Sequence, residues 1–139
     1  MEDRELIAKA REAKEFSYSP YSGFRVGAAL LGKNGKVYQG CNIENAAYTP
    51  TNCAERTAVF NAVSQGVREF EAIAVVGDGE DCLAPCGVCR QVLMEFVNPS
   101  EFYVLMAGSG EQYKKMTLEE LFPAAFSPAN LEKKMKSKI

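Results

Sequence analysis

Histidine is missing altogether from the 139 residues. Its absence removes the Ser-His-Asp triad, the Cys-His dyad, every histidine-ligated metal site and the commonest general base. Acid–base chemistry in this chain therefore falls to carboxylates. An excess of positive charge is also missing, since 16 Lys and Arg stand against 18 Asp and Glu for a net charge of −2. Without a positive field there is little to hold a polyphosphate backbone, so nucleic acid is not expected as a partner. Long hydrophobic runs are absent too. Runs such as residues 72–76 and 104–107 fall far short of the roughly 20 apolar residues of a membrane span, and no membrane segment is expected. Five cysteines is an odd number, and Met1-Glu2-Asp3-Arg4-Glu5 resembles no secretion signal. Reduced thiols and a cytoplasmic location are expected, not a disulfide framework.

What is present suits one globular domain over residues 1–139, with 47% apolar and 24% charged residues. Leu6, Ala10 and Ala13 recur at helical spacing, predicting an amphipathic helix over residues 2–16 that ends before Ser19-Pro20. Phe24, Val26, Ala28 and Leu30 alternate as a strand does, and Asn34-Gly35 predicts a hairpin returning through residues 37–44. A second helix is expected over residues 53–65, capped by Thr51 or Asn52 and ended by Gly66. Residues 72–76 read as a strand buried on both faces, 86–97 as a helix and 102–107 as another strand, a βαβ unit with parallel strands. Gly108-Ser109-Gly110 is too short for a parallel crossover, so the strand at residues 112–116 should return antiparallel. Thr117-Leu118-Glu119-Glu120 has the form of a capping box. Beyond it, Lys133, Lys134, Lys136 and Lys138 read as a solvated helix end, not a nucleic-acid tail. The class is α/β.

Cys86-Gly87-Val88-Cys89 places two sulfurs at i and i+3, on one face of a helix's first turn. At a helix N-terminus the exposed N–H groups favour thiolate, which is both metal ligand and nucleophile. Alone, that motif suits a metal or a redox pair. Cys53-Ala54-Glu55 adds a third cysteine at a second helix start, with a carboxylate two residues on. Three thiolates with an open fourth position describe a catalytic zinc, whose bound water ionises near neutrality. Glu55 is then the proton carrier at hand, and Arg56 together with two helix N-termini can offset the negative charge that three thiolates leave on the metal. Two other readings stand beside this one. A thioredoxin-like protein would use Cys86 and Cys89 and leave Cys53-Ala54-Glu55 idle, whereas a structural zinc would recruit Cys82 into a closed four-cysteine site. Cys41, and Cys82 outside that reading, are expected to be plain thiols.

Cys53-Ala54-Glu55 with Pro85-Cys86-Gly87-Val88-Cys89-Arg90-Gln91 resembles the signature of the small homotetrameric cytidine deaminases. The similarity extends to Phe24 in Tyr21-Ser22-Gly23-Phe24, to Asn42-Ile43-Glu44-Asn45-Ala46-Ala47-Tyr48 and to Phe126, covering residues 6–130. The resemblance implies a three-layer α/β/α sandwich with a mixed five-stranded sheet, and one Zn²⁺ per subunit on Cys53, Cys86 and Cys89. It implies hydrolysis of cytidine and 2′-deoxycytidine to uridine and 2′-deoxyuridine with release of ammonia, in pyrimidine salvage. Glu55 would protonate N3 of the base and later the departing amine, the backbone at Ala54 would contact the base, and Phe24 would pack against the nucleoside. Asn42 and Glu44, two apart and so on one side of a strand, would bind a ribose hydroxyl. Ala46, Tyr48 and Phe126 would reach a neighbouring subunit's site in a homotetramer. A relative acting on the nucleoside antibiotic blasticidin is the alternative within the family. The Asn42/Glu44 pair and Phe126 favour a plain nucleoside.

Overall fold

The fold is that of a computed structural model, which describes residues 1–131. The apolar runs become the centre of a sheet. In chain order the elements are α1 (Asp3–Lys14), β1 (Val26–Gly32), β2 (Val37–Cys41), α2 (Ala54–Ser64), β3 (Phe70–Gly77), α3 (Gly87–Met94), β4 (Tyr103–Ala107), β5 (Tyr113–Thr117) and α4 (Leu118–Leu121). The strands lie in the order β2-β1-β3-β4-β5. β3 and β4 are parallel, and the other neighbours are antiparallel, including the β4–β5 hairpin that the short glycine link requires.

Alternating side chains of the central strands serve two cores. On one face Ala28, Leu30, Ile73, Val75, Val104 and Met106 meet Ala58, Val59 and Ala62 of α2 and Leu93 and Met94 of α3. On the other, Ala29, Leu31, Ala74, Val76, Leu105 and Ala107 meet Leu6, Ile7 and Ala10 of α1. The result is the expected three-layer α/β/α sandwich. β1 departs from the expected strand in two ways: it begins at Val26, not Phe24, and it is buried on both faces, because it lies between β2 and β3 with helices on either side. Two helices stop short of their expected ends, α1 at Lys14 and α3 at Met94, and Phe16 is left exposed. β2 ends at Cys41, three residues early. The capping box is as expected: Glu120 N donates to Thr117 Oγ1 at 3.2 Å and Thr117 N to Glu120 Oε1 at 3.0 Å. Lys133, Lys134, Lys136 and Lys138 lie outside the described residues. Among those described, no helix is long and apolar enough to cross a membrane.

Two glycines let helix backbones rest directly on the sheet. A Cβ at Gly27 would run into Ala10 O and Lys14 N of α1, and one at Gly40 would run into Ala58 N of α2, with Ala54 O 2.6 Å away. The end of α1 is also held by charge. Asp78, just after β3, takes Lys14 Nζ at 3.0 Å and a two-pronged contact from Arg25, Nε at 3.0 Å and Nη2 at 3.1 Å. Arg25, foremost through these hydrogen bonds, holds the Asp78 carboxyl far below the usual carboxylate range.

Two outcomes are expected. Gly40→Ala should destabilise by about 1–3 kcal/mol, the usual range for forcing a methyl into packed backbone, and a denaturant titration measures it. A carboxyl with a depressed folded value stabilises the protein above its unfolded value and ceases to do so as pH falls. Asp78→Asn should therefore lower Tm near neutrality, and the gap to the parent should narrow on acidification below about pH 4, as thermal melts at a series of pH values would read.

Candidate active site and metal centre

The N-termini of α2 and α3 meet at one end of the sheet, and each is opened by a cysteine. Cys53 is the N-cap of α2, with φ −73° and ψ 155° and no side-chain cap of its own. Cys86 is the N-cap of α3, and its sulfur accepts from Cys89 N at 3.4 Å. Cys89, one turn into α3, is 1% exposed. The sulfurs of Cys53 and Cys86 are 3.8 Å apart and those of Cys86 and Cys89 3.4 Å, and all three lie within 4.8 Å of one another. Tetrahedral zinc with sulfur bonds of about 2.3 Å sets its ligands roughly 3.8 Å apart. The trio fits that metal, and a three-thiolate set leaves the fourth position open.

Arg56 stands behind the trio. Its Nη2 donates to Cys53 Sγ at 3.2 Å. As free thiols, the group draws Cys53 down through donation from Cys89 and from Arg56, against burial, while Cys89 is pushed up by that same contact and by its own burial. Arg56 Nε is the one buried side-chain polar atom without a hydrogen-bond partner among the described residues.

Glu55 follows Cys53 by two residues on the first turn of α2 and is only 4% exposed. Burial, aided by the nearby Cys53, pushes its carboxyl up to about 7. A group poised there exchanges protons readily near neutral pH. It lines a cleft of about 210 Å³ with Val26, Asn42, Asn52, Cys53, Leu83 and Cys86, and is the only carboxylate in that lining.

The residues singled out by sequence are partly brought together. Cys53, Ala54, Glu55, Cys86 and Asn42 line one cleft, with Cys89 and Arg56 just behind it. Glu44 and Tyr48 line an adjoining recess with Tyr21 and Ser22, and Thr51 lines both. Asn42 and Glu44 lie beyond the end of β2, not within it; the chain stays extended because Ile43 bridges Tyr18 on one side and Asn52 on the other, so both side chains still turn to residues 17–26. Phe24 packs its ring over Gly77 and Gly79 at the end of β3. Tyr48 projects, 72% exposed, from a left-handed backbone of φ 62°, Ala46 beside it is exposed, and exposed Phe126 lines neither recess. Neither Thr51 nor Asn52 caps α2: Asn52 Nδ2 instead donates to Thr57 Oγ1 at 2.9 Å. Cys82 points to Gln112 O at 3.9 Å and stands outside the trio, so the closed four-cysteine site does not form. Sequence reasoning missed Ser17 and Ser22, which bond Asn42 and Glu44 from the loop after α1. The only available signal was their place in a stretch matching the family.

Comparison with known proteins agrees with this geometry. A family profile described as the cytidine and deoxycytidylate deaminase zinc-binding region matches residues 1–106. A cytidine deaminase of Sporosarcina psychrophila is 53% identical over 131 residues, 94% of this chain and 96% of the relative. One from Halalkalibacterium halodurans is 47% identical over 131 residues, 94% and 98% of the two chains. The crystal structure of a cytidine deaminase from Burkholderia pseudomallei superposes with a TM-score of 0.87 at 47% identity, covering 91% of this chain and all of that one. With a zinc-binding profile over most of its length and a trio of thiols spaced for that metal, the chain belongs to the cytidine deaminase family of zinc enzymes.

Proposed function

We propose that this single domain hydrolyses the 4-amino group from cytidine and 2′-deoxycytidine, giving the uracil nucleoside and ammonia, as a step of pyrimidine salvage. The observation that carries the reading is the buried Glu55 carboxyl set beside three convergent thiols whose spacing suits zinc. Cys53, Cys86 and Cys89 would hold one zinc per subunit as thiolates. Zinc there supplies a Lewis acid with an open position, which lowers the pKa of water.

The remaining work belongs to the chain. Glu55, easily protonated because it is buried, takes a proton from water and gives it to ring nitrogen N3 as the C4–O bond forms, then takes the remaining hydroxyl proton and gives it to the amine as the C4–N bond breaks, leaving a C4 carbonyl, ammonia and the carboxylate it began with. The cleft is smaller than the roughly 300–1,000 Å³ of drug-sized sites, which suits one heterocycle held against the backbone at Ala54 with Phe24 along the nucleoside. Asn42 and Glu44 take a sugar hydroxyl. Because 2′-deoxycytidine is included, that hydroxyl is one both substrates share. Arg56, donating to Cys53, tempers the thiolate charge that would weaken the metal as a Lewis acid.

Ala46, Tyr48 and Phe126 are read as completing a neighbour's site in a homotetramer; exposures of 72% for Tyr48 and 57% for Phe126 support a surface that assembly would cover. A cytoplasmic location suits thiols that must stay reduced.

Ultraviolet absorbance of cytidine should fall on mixing with the protein and stop falling after chelation. Glu55→Gln should keep its zinc, by metal analysis, while kcat drops roughly 10²–10⁴-fold, the usual contribution of a positioned acid–base group; near-parental turnover would refute the role. Cys89→Ser should bind less than one zinc per subunit after dialysis, the complementary result.

A further inference from the structure

Asn42 is nearly saturated before any ligand arrives. Its Oδ1 accepts from Val26 N at 2.9 Å and from the Ser17 hydroxyl, and one Nδ2 hydrogen goes to Phe24 O at 2.9 Å. These partners fix which end of the amide is nitrogen and leave a single N–H to give. Glu44 is equally constrained. Its Oε1 accepts from Tyr21 N at 2.9 Å and Ser22 N at 3.1 Å, and its Oε2 from the Ser22 hydroxyl. With three donors on one carboxylate the group is held ionised, the Ser22 hydroxyl first among the causes. One fixed donor and one fixed acceptor complement a hydroxyl, which both gives and accepts.

The two settings are joined through one side chain. Gly23, at φ 66°, turns the chain so that Phe24 N donates back to Ser22 Oγ at 3.0 Å. The carbonyl of the same Phe24 receives Asn42. The path therefore runs from Asn42 through Phe24 to the Ser22 hydroxyl and on to Glu44.

We propose that Ser22 is the positioning residue of the sugar-binding pair, aiming Glu44 directly through its hydroxyl and Asn42 through the backbone of Phe24. The proposal rests on the reading that this pair takes a nucleoside hydroxyl, here the 3′-hydroxyl, the one ring hydroxyl that cytidine and 2′-deoxycytidine share. Ser22 is exposed, and water can replace its hydroxyl at Phe24 N without unfolding the loop. Removing it loosens the aim of the carboxylate and leaves the chemistry at Glu55 alone.

The test compares Ser22→Ala and Ser22→Thr on cytidine and on 2′,3′-dideoxycytidine, which offers no ring hydroxyl. Ser22→Ala should raise KM for cytidine about tenfold, the scale of one hydrogen bond to a charged group, with kcat within about twofold of the parent. On the dideoxy substrate KM should move less than about twofold, and Ser22→Thr, which keeps the hydroxyl, should restore cytidine binding. An unchanged KM for cytidine overturns the proposal, as does equal loss on both substrates or a threonine variant as poor as alanine. Glu44→Gln separates the two levels. If it leaves cytidine KM unchanged, the sugar-binding reading itself fails; if it raises KM while Ser22→Ala does not, only the role of Ser22 does.

Discussion

The metal centre depends on a contact between two backbones. Where α2 crosses β2, no side chain separates them: Gly40 offers its bare Cα to Ala54 O and Ala58 N. Closest approach of helix and sheet is set there by backbone atoms, which cannot adjust as a leucine would. The first turn of α2, with Cys53 and Glu55, is thereby placed at a fixed height over the strand whose continuation carries Asn42. α3 is placed separately, by the βαβ connection between β3 and β4 and by Leu93 and Met94 in the core. Convergence of three sulfurs from two helices is the geometric product of those two placements.

Electrostatics then decides what the convergence can do. Three thiolates around a divalent cation carry a net negative charge, which would oppose any further negative charge developing at the substrate. The fold sets two helix N-termini and the Arg56 guanidinium against it. Glu55 lies in the same field yet is pushed the other way, because burial outweighs the attraction of Arg56. Cys53 and Glu55, two residues apart, are thus shifted in opposite directions, the thiol down and the carboxyl up.

Much of this was legible in the residues. The apolar runs of β3 and β4, the Thr117 capping box and the glycine-limited hairpin are local patterns, and each appears where the pattern places it. Cys86 and Cys89 were legible as a pair on a helix's first turn because three-residue spacing is itself a local geometry, and Cys53 was legible as a helix opener from the cap composition of Thr51-Asn52 just before it. What local pattern did not show were contacts between distant segments. Asn52 has the composition of a cap, yet its backbone is bridged to Ile43 and its amide is drawn to Thr57. Ser17 and Ser22 sit in a loop without periodicity, and their partners lie more than twenty residues on, through a register no spacing rule encodes. Phe24 continues the alternation of β1 on paper but leaves the sheet, where Gly77 and Gly79 make room for its ring.

Arg90 and Gln91 follow the last ligand cysteine and fasten the later chain to α3: Arg90 donates to Pro85 O and to Leu121 O, and Gln91 to Phe126 O. One short helix thus carries two ligand sulfurs and the anchorage of the segment ending at Phe126. Added length at the Asn34-Gly35 turn or in the link from β4 to β5 would be absorbed at the surface. A single residue inserted between Cys86 and Cys89 would rotate the rest of α3 by about 100° relative to Cys86, separating the sulfurs and turning Arg90 and Gln91 away from the C-terminal segment together. Tolerance for added length in this chain therefore ends at α3, where ligand spacing and chain anchorage share the same turns.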